Sequence, residues 1–550
     1  MSRSTVFSRL LLGSTCFLLF AGCSVEGSNL TTEEQLKALG DDMQAIFGGQ
    51  KQLEEPLTLA DALARGISYN MEHRVAARER MVASGQVDAD LLNALPAVNA
   101  GVANVKRDDA EIRSATNADT GVQSLPPSVF SEDNRRLAQL EASWNILDAG
   151  LAVAQATQSS DRARIAEEQR RKVVHQLTQD IRTAYWRAAS AQVMGPRISN
   201  ALHRNQMMVK DLQQKMLEKS AKDDQDTYLQ AQRQLLRTAD DLMTLQSQMS
   251  TAKIELAGLI NLPPGADYTL AVNEGDILNM PDINRVVAAP EDLELVALTI
   301  RPEIRQDMLA SRISASQTRA TALSALPGLQ VAYGYNYDSD DFLRDNNWTE
   351  FSLSLTGNLM KLLTLPVRME QSENREKLVA LQRQAKTVSI LTQVNLARQN
   401  LRLTEDRLGI LRNLMRVEND LVPEKADQAP LLTTAHTMAQ EQTALNARAR
   451  FHMAYADYQS AYGRLLTSVG IDPLPPAYDP RDIQGMARVI TARTETLTPS
   501  LFGKLVTAIR TQMPDTLAGT AQDAMAMAAT EPAAAPMSPP RMRNVPVYNQ

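Results

Sequence analysis

Histidine, cysteine and nucleophilic side chains are the first places to look for catalysis or metal binding. The histidines are spread along the chain as His73, His175, His203, His436 and His452. They form neither an HExxH motif nor a cluster of ligands at metal-binding spacing. The sequence also lacks a phosphate-binding loop, a G-x-S-x-G nucleophile motif and a dinucleotide fingerprint. We therefore expect no enzyme activity, no cofactor and no metal site.

The only two cysteines lie near the N-terminus, where they indicate processing rather than catalysis. An apolar run at 10–21 follows two arginines and is shorter than the roughly 20 residues that a membrane-spanning helix needs. It ends in Leu-Phe-Ala-Gly-Cys at 19–23, which resembles the lipobox of bacterial lipoproteins. Cys23 is thus predicted to carry acyl chains such as palmitate; the alternative is an ordinary signal peptide with an incidental cysteine. Ser24, in place of an aspartate, favours sorting to the outer membrane.

The balance of charge and hydropathy excludes some classes of partner. The chain has 57 Lys and Arg against 64 Asp and Glu, a net charge of −7, which becomes −9 once Arg3 and Arg9 leave with the signal. No basic run with interleaved aromatic residues is present, so nucleic acid is not an expected partner. No other apolar run is long enough for a membrane helix. If the protein crosses a membrane, it must therefore do so with β-strands.

The same pattern of predicted elements occurs twice along the chain. The motif Asn-Ala-Leu-Pro-Ala at 93–97 returns as Ser-Ala-Leu-Pro-Gly at 324–328, each between a helix-like and a strand-like stretch. Each half then reads as short helix, strand, loop, strand, long helix, turn and helix. We place the two repeats at 57–275 and 291–475.

Strands are predicted at about 97–107 and 136–146 in the first repeat, and at about 328–337 and 349–357 in the second. Alternating positions of the second pair are apolar or aromatic: Leu329, Val331, Tyr333, Tyr335, Tyr337, Phe351, Leu353 and Leu355. Since successive strand residues point to opposite faces, this pattern indicates one apolar face and one small, polar face. It is typical of strands with lipid outside and water inside. A soluble hairpin with one wet face is the alternative.

Helical hairpins are predicted at about 149–261 and 366–470. Apolar residues recur there at steps of three and four in four series: Val174 to Ala191, Leu242 to Leu259, Ile390 to Met415, and Phe451 to Val469. These are heptad seams. Because the apolar stripes are narrow and the other faces are polar, both broad faces of the hairpins should meet water, as in the wall of a tube.

Several motifs occur in the order that the TolC family of outer-membrane efflux proteins shows. Residues 57–63 (LTLADAL) resemble the start of the family's opening helix, with Thr58 as N-cap and Asp61 three residues later. Residues 144–150 (WNILDAG) resemble its strand-to-helix junction, and 256–263 (LAGLINLP) resemble its closing motif. The resemblance extends over about 57–475.

This resemblance implies a mainly α protein with a membrane β-barrel, internally duplicated and trimeric. Each protomer of such a duct supplies four strands to one closed barrel and long antiparallel helical hairpins to a periplasmic tube. The implied function is an exit duct that passes small molecules or proteins from a periplasmic adaptor and its inner-membrane transporter to the exterior. Outer-membrane lipid would surround the barrel. A periplasmic coiled-coil adaptor and a structural coiled-coil lipoprotein are the alternatives.

Acidic residues cluster at the two predicted turns between the long helices: Asp223, Asp224 and Asp226 in the first, Glu424 and Asp427 in the second. In a trimer they would form rings around the periplasmic mouth, which would favour cations and bind divalent ions weakly. The alternative is that they cap the next helix, where acids are favourable. Both turns lack the glycine of the family pattern, and the family's adaptors dock at these turns.

The remaining segments are assigned by composition and position. We expect a signal peptide at 1–22, a linker with a short helix at 23–56, a linker at 276–290 and an equatorial segment at 476–511. The tail at 512–550 is rich in Ala, Met and Pro and is predicted to be disordered.

Overall fold

The computed structural model describes residues 29–50, 53, 55–109, 111–114, 116–123, 128–217, 225–263, 265–278, 289–422, 430–475, 478–496 and 499–512. The predicted signal peptide, Cys23, most of the predicted tail and both predicted helical turns except Asp226 therefore lie outside the described residues. Contacts divide the chain into two units, Met1–Gln52 and Leu53–Gln550. The first unit contains α1 (Thr32–Phe47), which begins with a capping box between Thr31 and Glu34.

The second unit is mainly helical, and its elements follow the same order in residues 71–259 and 302–469. Its first part comprises α2 (Leu59–Tyr69), α3 (Met71–Leu92), β1 (Ala97–Lys106), β2 (Glu111–Arg113), β3 (Ser128–Ser131), β4 (Asn134–Asn145), α4 (Ile146–Leu217), α5 (Gln225–Leu259) and α6 (Glu274–Leu278). Its second part comprises α7 (Pro290–Ile300), α8 (Pro302–Leu323), β5 (Gly328–Asp338), β6 (Asn347–Thr356), α9 (Leu359–Asp420), α10 (Leu431–Val469), α11 (Ile483–Thr496) and α12 (Pro499–Thr511).

Helix α2 begins where the sequence predicted, because its N-terminal groups are capped. The Thr58 hydroxyl accepts a hydrogen bond from the Asp61 backbone N–H at 3.1 Å, and the Asp61 carboxylate accepts one from the Thr58 N–H at 3.1 Å. The reciprocal pair satisfies two backbone donors that a helix start otherwise leaves without partners. The capped helix buries Leu63 and Ile67 against α4 and α11.

The predicted heptad seams form the core of the helical hairpins. Ile181 on α4, Leu256 on α5 and Phe451 on α10 are completely buried in one cluster. Leu408 of α9 joins the same cluster. The predicted seams are buried or half-buried. Large apolar side chains outside them are exposed along α5 and α9, so the other faces of these two helices are not wholly polar as predicted.

A four-stranded antiparallel sheet has the order β1-β4-β5-β6. Near the sheet, the helices pack in the matching order α3, α4, α8, α9. The two orders agree because each helix runs directly into or out of its strand; β4 ends at Asn145 and α4 begins at Ile146. Farther from the sheet, α4, α5 and α10 pack against one another, and α9 packs against α10. Near the sheet, the outermost helices of one chain are therefore α3 and α9.

Candidate functional site

One face of the four-stranded sheet is apolar and exposed. The register places Leu140 opposite Tyr335, and Tyr333 opposite Phe351. Directly opposite residues of antiparallel strands share a face, so the apolar rows of β4, β5 and β6 form one continuous band. Phe351 and Leu353 are 67% and 62% exposed. A monomeric soluble protein rarely exposes a continuous apolar band of this kind.

The first strand extends this band, which its weak sequence pattern did not show. Val98 lies opposite Ala142, and Val102 lies opposite Ala138. Val102 is 87% exposed, so no described residue of the chain covers it. Only the pairing of β1 with β4 identifies these two valines as part of the apolar face.

The other face of the sheet carries small and polar residues. Gln139, Glu141 and Ser143 alternate with the apolar row of β4, and Ser352 and Ser354 do the same on β6. The alternation predicted for the strands is therefore confirmed. One large residue departs from this alternation. Trp348, near the start of β6, lies opposite Asn336 and thus belongs to the polar face.

Both edges of this sheet are open in the part of one chain that the structure describes. There, strand β1 pairs only with β4, and β6 pairs only with β5. An open edge presents backbone N–H and C=O groups that can pair with another chain. In the described part of the chain, no helix is both long enough and apolar enough to cross a membrane.

Hydrogen bonds and ion pairs between polar side chains link the segment after α10 to α4. The Asp472 carboxylate accepts a hydrogen bond from Arg171 at 2.7 Å and lies 2.6 Å from Nε2 of His175. Burial raises the pKa of Asp472, but the bonds from His175 and Arg171 outweigh burial and lower it below its usual range. Tyr478 is held in the same way, accepting from Arg170 at 2.5 Å.

The histidines occupy structural positions and are not brought together. No group of three or more potential metal ligands occurs among the described residues. His203 and His436 are exposed on helices, whereas His73 is buried beside Arg170 and Tyr478.

His452 is unusual because its ring is completely buried and neither ring nitrogen has a hydrogen-bond partner. Its Nε2 atom lies 4.0 Å from the carboxylate of Glu274, which Arg197 already binds through two hydrogen bonds of 2.9 and 2.7 Å. Arg448 lies 3.5 Å from the same carboxylate. Burial lowers the pKa of His452 to about 4, so the ring is neutral at pH 7.

Of the acidic residues predicted at the helical turns, the structure places only Asp226. It is exposed in the first turn of α5, a position where a carboxylate interacts favourably with the helix dipole. Asp223, Asp224, Glu424 and Asp427 lie outside the described residues, as does Cys23. Their roles stay predictions.

Comparison with solved structures identifies the same arrangement in outer-membrane channels. The outer-membrane channel OprN is 16% identical and aligns over 75% of this chain and 89% of its own, with a TM-score of 0.57. CusC, which forms a transmembrane channel, is 13% identical over 75% of this chain and 92% of its own, with a TM-score of 0.57.

The CmeC outer membrane channel of Campylobacter jejuni is 12% identical over 85% of this chain and 98% of its own, with a TM-score of 0.55. No protein-family model and no curated protein matches the sequence. The resemblance seen in the sequence is confirmed at the level of architecture: the chain has the fold of the TolC-type outer-membrane channels.

Proposed function

We propose that the protein is an outer-membrane exit duct that passes small molecules or proteins from a periplasmic adaptor and its inner-membrane transporter to the exterior. The observation that carries this proposal is the sheet with one continuous apolar face, which runs directly into very long helices. Helix α4 has 72 residues and is about 110 Å long at 1.5 Å per residue. An adaptor or a structural coiled coil would have no use for such a face.

The open edges of the sheet favour assembly, and we propose a trimer. In lipid, unpaired backbone groups cost several kcal/mol each, so β1 and β6 must find partners. The β6 edge of one copy can pair with the β1 edge of the next, and three copies would close the sheet around a lumen wide enough for water. The matching order of elements in 57–275 and 291–475 supports an internal duplication.

The surface that would join neighbouring copies is a pair of exposed apolar rows. On α9, Leu403, Ile410 and Val417 recur every seven residues on the side away from the buried seam, and each is at least half exposed. On α5, Leu229, Leu236 and Met243 recur at the same spacing and are also exposed. Within one chain, α5 packs against α4 and α10, and α9 packs against α10. Both rows lie on faces that these contacts leave exposed.

The two rows match when the helices run antiparallel. Helix α9 ends near the second predicted turn, whereas α5 begins just after the first. Placing Val417 opposite Leu229 then brings Ile410 opposite Leu236 and Leu403 opposite Met243. A common seven-residue step on both helices is what an antiparallel heptad seam requires.

Cysteine cross-linking tests this interface and the trimer together. Cys16 is expected to leave with the signal and Cys23 to be acylated, so introduced thiols should be the only free ones. We expect Ile410→Cys with Leu236→Cys to give disulfide-linked dimers and trimers on non-reducing gels, since the pair should come within the roughly 7 Å Cα separation that a disulfide allows.

The matched control is Ile410→Cys with Met243→Cys, which displaces the pair by seven residues, about 10 Å along the helix. It should remain monomeric on the same gels. Equal cross-linking of both pairs, or conducting particles that contain a single chain, would refute the proposed interface.

We further propose that Cys23 is acylated and that the protein is anchored in the outer membrane by lipid. Cys23→Ala should abolish incorporation of labelled palmitate and leave the signal peptide uncleaved. More than one acyl chain holds a protein stably on a membrane, whereas a single chain does not. Wild-type protein that fractionates with the inner membrane would contradict the sorting inferred from Ser24.

The duct itself is tested by conductance across a planar bilayer. Carboxylate rings from Asp223, Asp224, Glu424 and Asp427 would make the channel select cations, because like charges concentrate counter-ions at a narrow mouth. We expect Asp223→Asn/Asp224→Asn and Asp427→Asn to shift the reversal potential in a KCl gradient towards zero selectivity. Intact trimers with unchanged selectivity would assign these residues to helix capping, and the absence of any conductance would contradict the duct.

A further inference from the structure

A polar groove lies between α8 and α9, on the sheet side of the helical hairpins. It encloses about 420 Å³. The residues that matter for its chemistry are Ser314, Gln317, Arg368, Gln371, Ser372 and Arg375. No carboxylate and no large apolar side chain contributes to its lining. The groove therefore has the composition of a binding site for an anion.

Its two arginines have no acidic partner. Among the described residues, no carboxylate oxygen lies within 4.0 Å of Arg368 or Arg375, whereas Arg305 and Arg312 of α8 form ion pairs with acids of α4. Residues three and four positions away are neighbours on a helix, and for both arginines those positions are uncharged. The glutamates of this stretch, Glu370, Glu373 and Glu376, occupy other faces of α9.

Charge is balanced farther along the same pair of helices. There Asp307 of α8 interacts electrostatically with Arg383 and Lys386 of α9. Arg383 and Lys386 of α9 thus lie near an acid of α8. Arg368 and Arg375 share the groove with hydroxyl and amide groups instead. Uncompensated guanidinium groups opposite uncharged donors are a suitable arrangement for an oxyanion, since Arg binds carboxylate and phosphate through paired N–H groups.

A buried hydroxyl supports the same assignment. Ser314 is 7% exposed and lines the groove, yet its Oγ atom has no hydrogen-bond partner. A buried polar group without a partner costs about 1–3 kcal/mol, which a bound acceptor would recover. The hydroxyls of Thr318 and Thr321 instead donate to backbone carbonyls one turn earlier, so Ser314 is the lining hydroxyl of α8 that is left to donate.

We propose that this groove binds a small oxyanion, a phosphate or sulfate group, between Arg368 and Arg375. The group could belong to a free ion or carried molecule, or to the headgroup of a lipid. Arg368 lies nine residues after the start of α9, about 14 Å from the sheet, which is beyond the headgroup layer expected next to a membrane-embedded sheet. The site lies within one chain and stands whether or not the chain forms a duct.

Inorganic phosphate is the probe, and its ³¹P line width is the measurement, with purified full-length protein in detergent at low salt. We expect saturable broadening of the phosphate line by the wild type. Arg368→Gln/Arg375→Gln should weaken binding by about tenfold or more, because two charge-assisted contacts are lost. Ser314→Ala should weaken it a few-fold, in line with the loss of one neutral hydrogen bond.

The matched control is Arg383→Gln/Lys386→Gln, which removes the same net charge from α9 at positions farther from the sheet. It should bind phosphate within about twofold of the wild type. Thermal unfolding by circular dichroism confirms that each variant is folded. An unsaturable phosphate signal, or an equal loss in the control, would overturn the proposal.

Competition then separates the two sources. Displacement of phosphate by glycerol phosphate and by a short-chain phosphatidylglycerol at equal concentrations supports a free or carried oxyanion as the ligand. Much stronger displacement by the lipid supports a headgroup as the ligand. Failure of both to displace phosphate would contradict an oxyanion site.

Discussion

In the proposed trimeric duct, Leu353→Arg should remove most of the assembled protein from the outer membrane. Leu353 lies in the middle of β6, opposite Val331, on the exposed apolar face of the sheet. An arginine on the lipid side of a membrane strand costs about 2–4 kcal/mol near the bilayer midplane, and three copies would together pay about 6–12 kcal/mol. The measurement is the amount of trimer from washed outer membranes that survives denaturing gel electrophoresis.

Ser352→Arg is the matched control because it adds the same side chain at the adjacent position of the same strand. Ser352 lies on the small, polar face, which the proposed duct directs towards water. This variant should insert and assemble at close to wild-type levels. If the two variants were lost to the same degree, the apolar face would not be a lipid face.

Acidification should destabilise the helical hairpins through His452. The pKa of this residue is lowered by burial to about 4, whereas in the unfolded chain it has its ordinary value of about 6.5. Between these values the unfolded chain binds more protons than the folded one. The free energy of unfolding therefore has its full value with respect to this group above pH 6.5, and it decreases as the pH falls towards 4.

The size of this loss follows from the difference between the two pKa values. At about 1.4 kcal/mol per pH unit, it amounts to about 3 kcal/mol. The charges around the ring oppose one another: Glu274 favours protonation, whereas Arg448 and Arg197 disfavour it, and burial is the largest effect.

Urea unfolding followed by helical circular dichroism at pH 7 and pH 4.5 measures this effect. We expect His452→Leu to reduce the loss of stability on acidification by about 2–3 kcal/mol relative to the wild type. His203→Leu, at an exposed histidine, is the control and should leave the pH dependence unchanged. A wild-type loss that His452→Leu does not reduce would mean that the ring protonates without cost.

Much of the fold can be predicted from the sequence because local periodicity determines which face of an element is apolar. Ile181, Leu256 and Phe451 are buried where their heptad spacing predicted. The capping pair Thr58 and Asp61 sets the start of α2 as expected. Fold class follows from the same signals, since helix and strand periods differ and each half of the chain repeats them in order.

The candidate sites also differ in whether local sequence alone indicates them. Cys23 and the acids at the two turns are predicted from short motifs and charge, which the sequence displays directly, and these sites stay predictions. The apolar face of β1 was not recognised, because Val98 and Val102 are separated by small residues and acquire their meaning only opposite β4. The same holds for Asp472, whose partner His175 lies 297 positions away in sequence.

The sequence by itself determined most of the elements and the apolar faces of the long helices and of β4, β5 and β6, whereas the segments that mark processing stay predictions. Only the tertiary structure decided that β4 pairs with β5, which makes one sheet from the two halves, and that its edges stay open. It also decided that His452 is buried without a partner and that Arg368 and Arg375 face hydroxyl and amide groups rather than acids. The reason is physical: periodicity acts between neighbours along the chain, whereas pairing, burial and charge compensation depend on which distant surfaces come into contact.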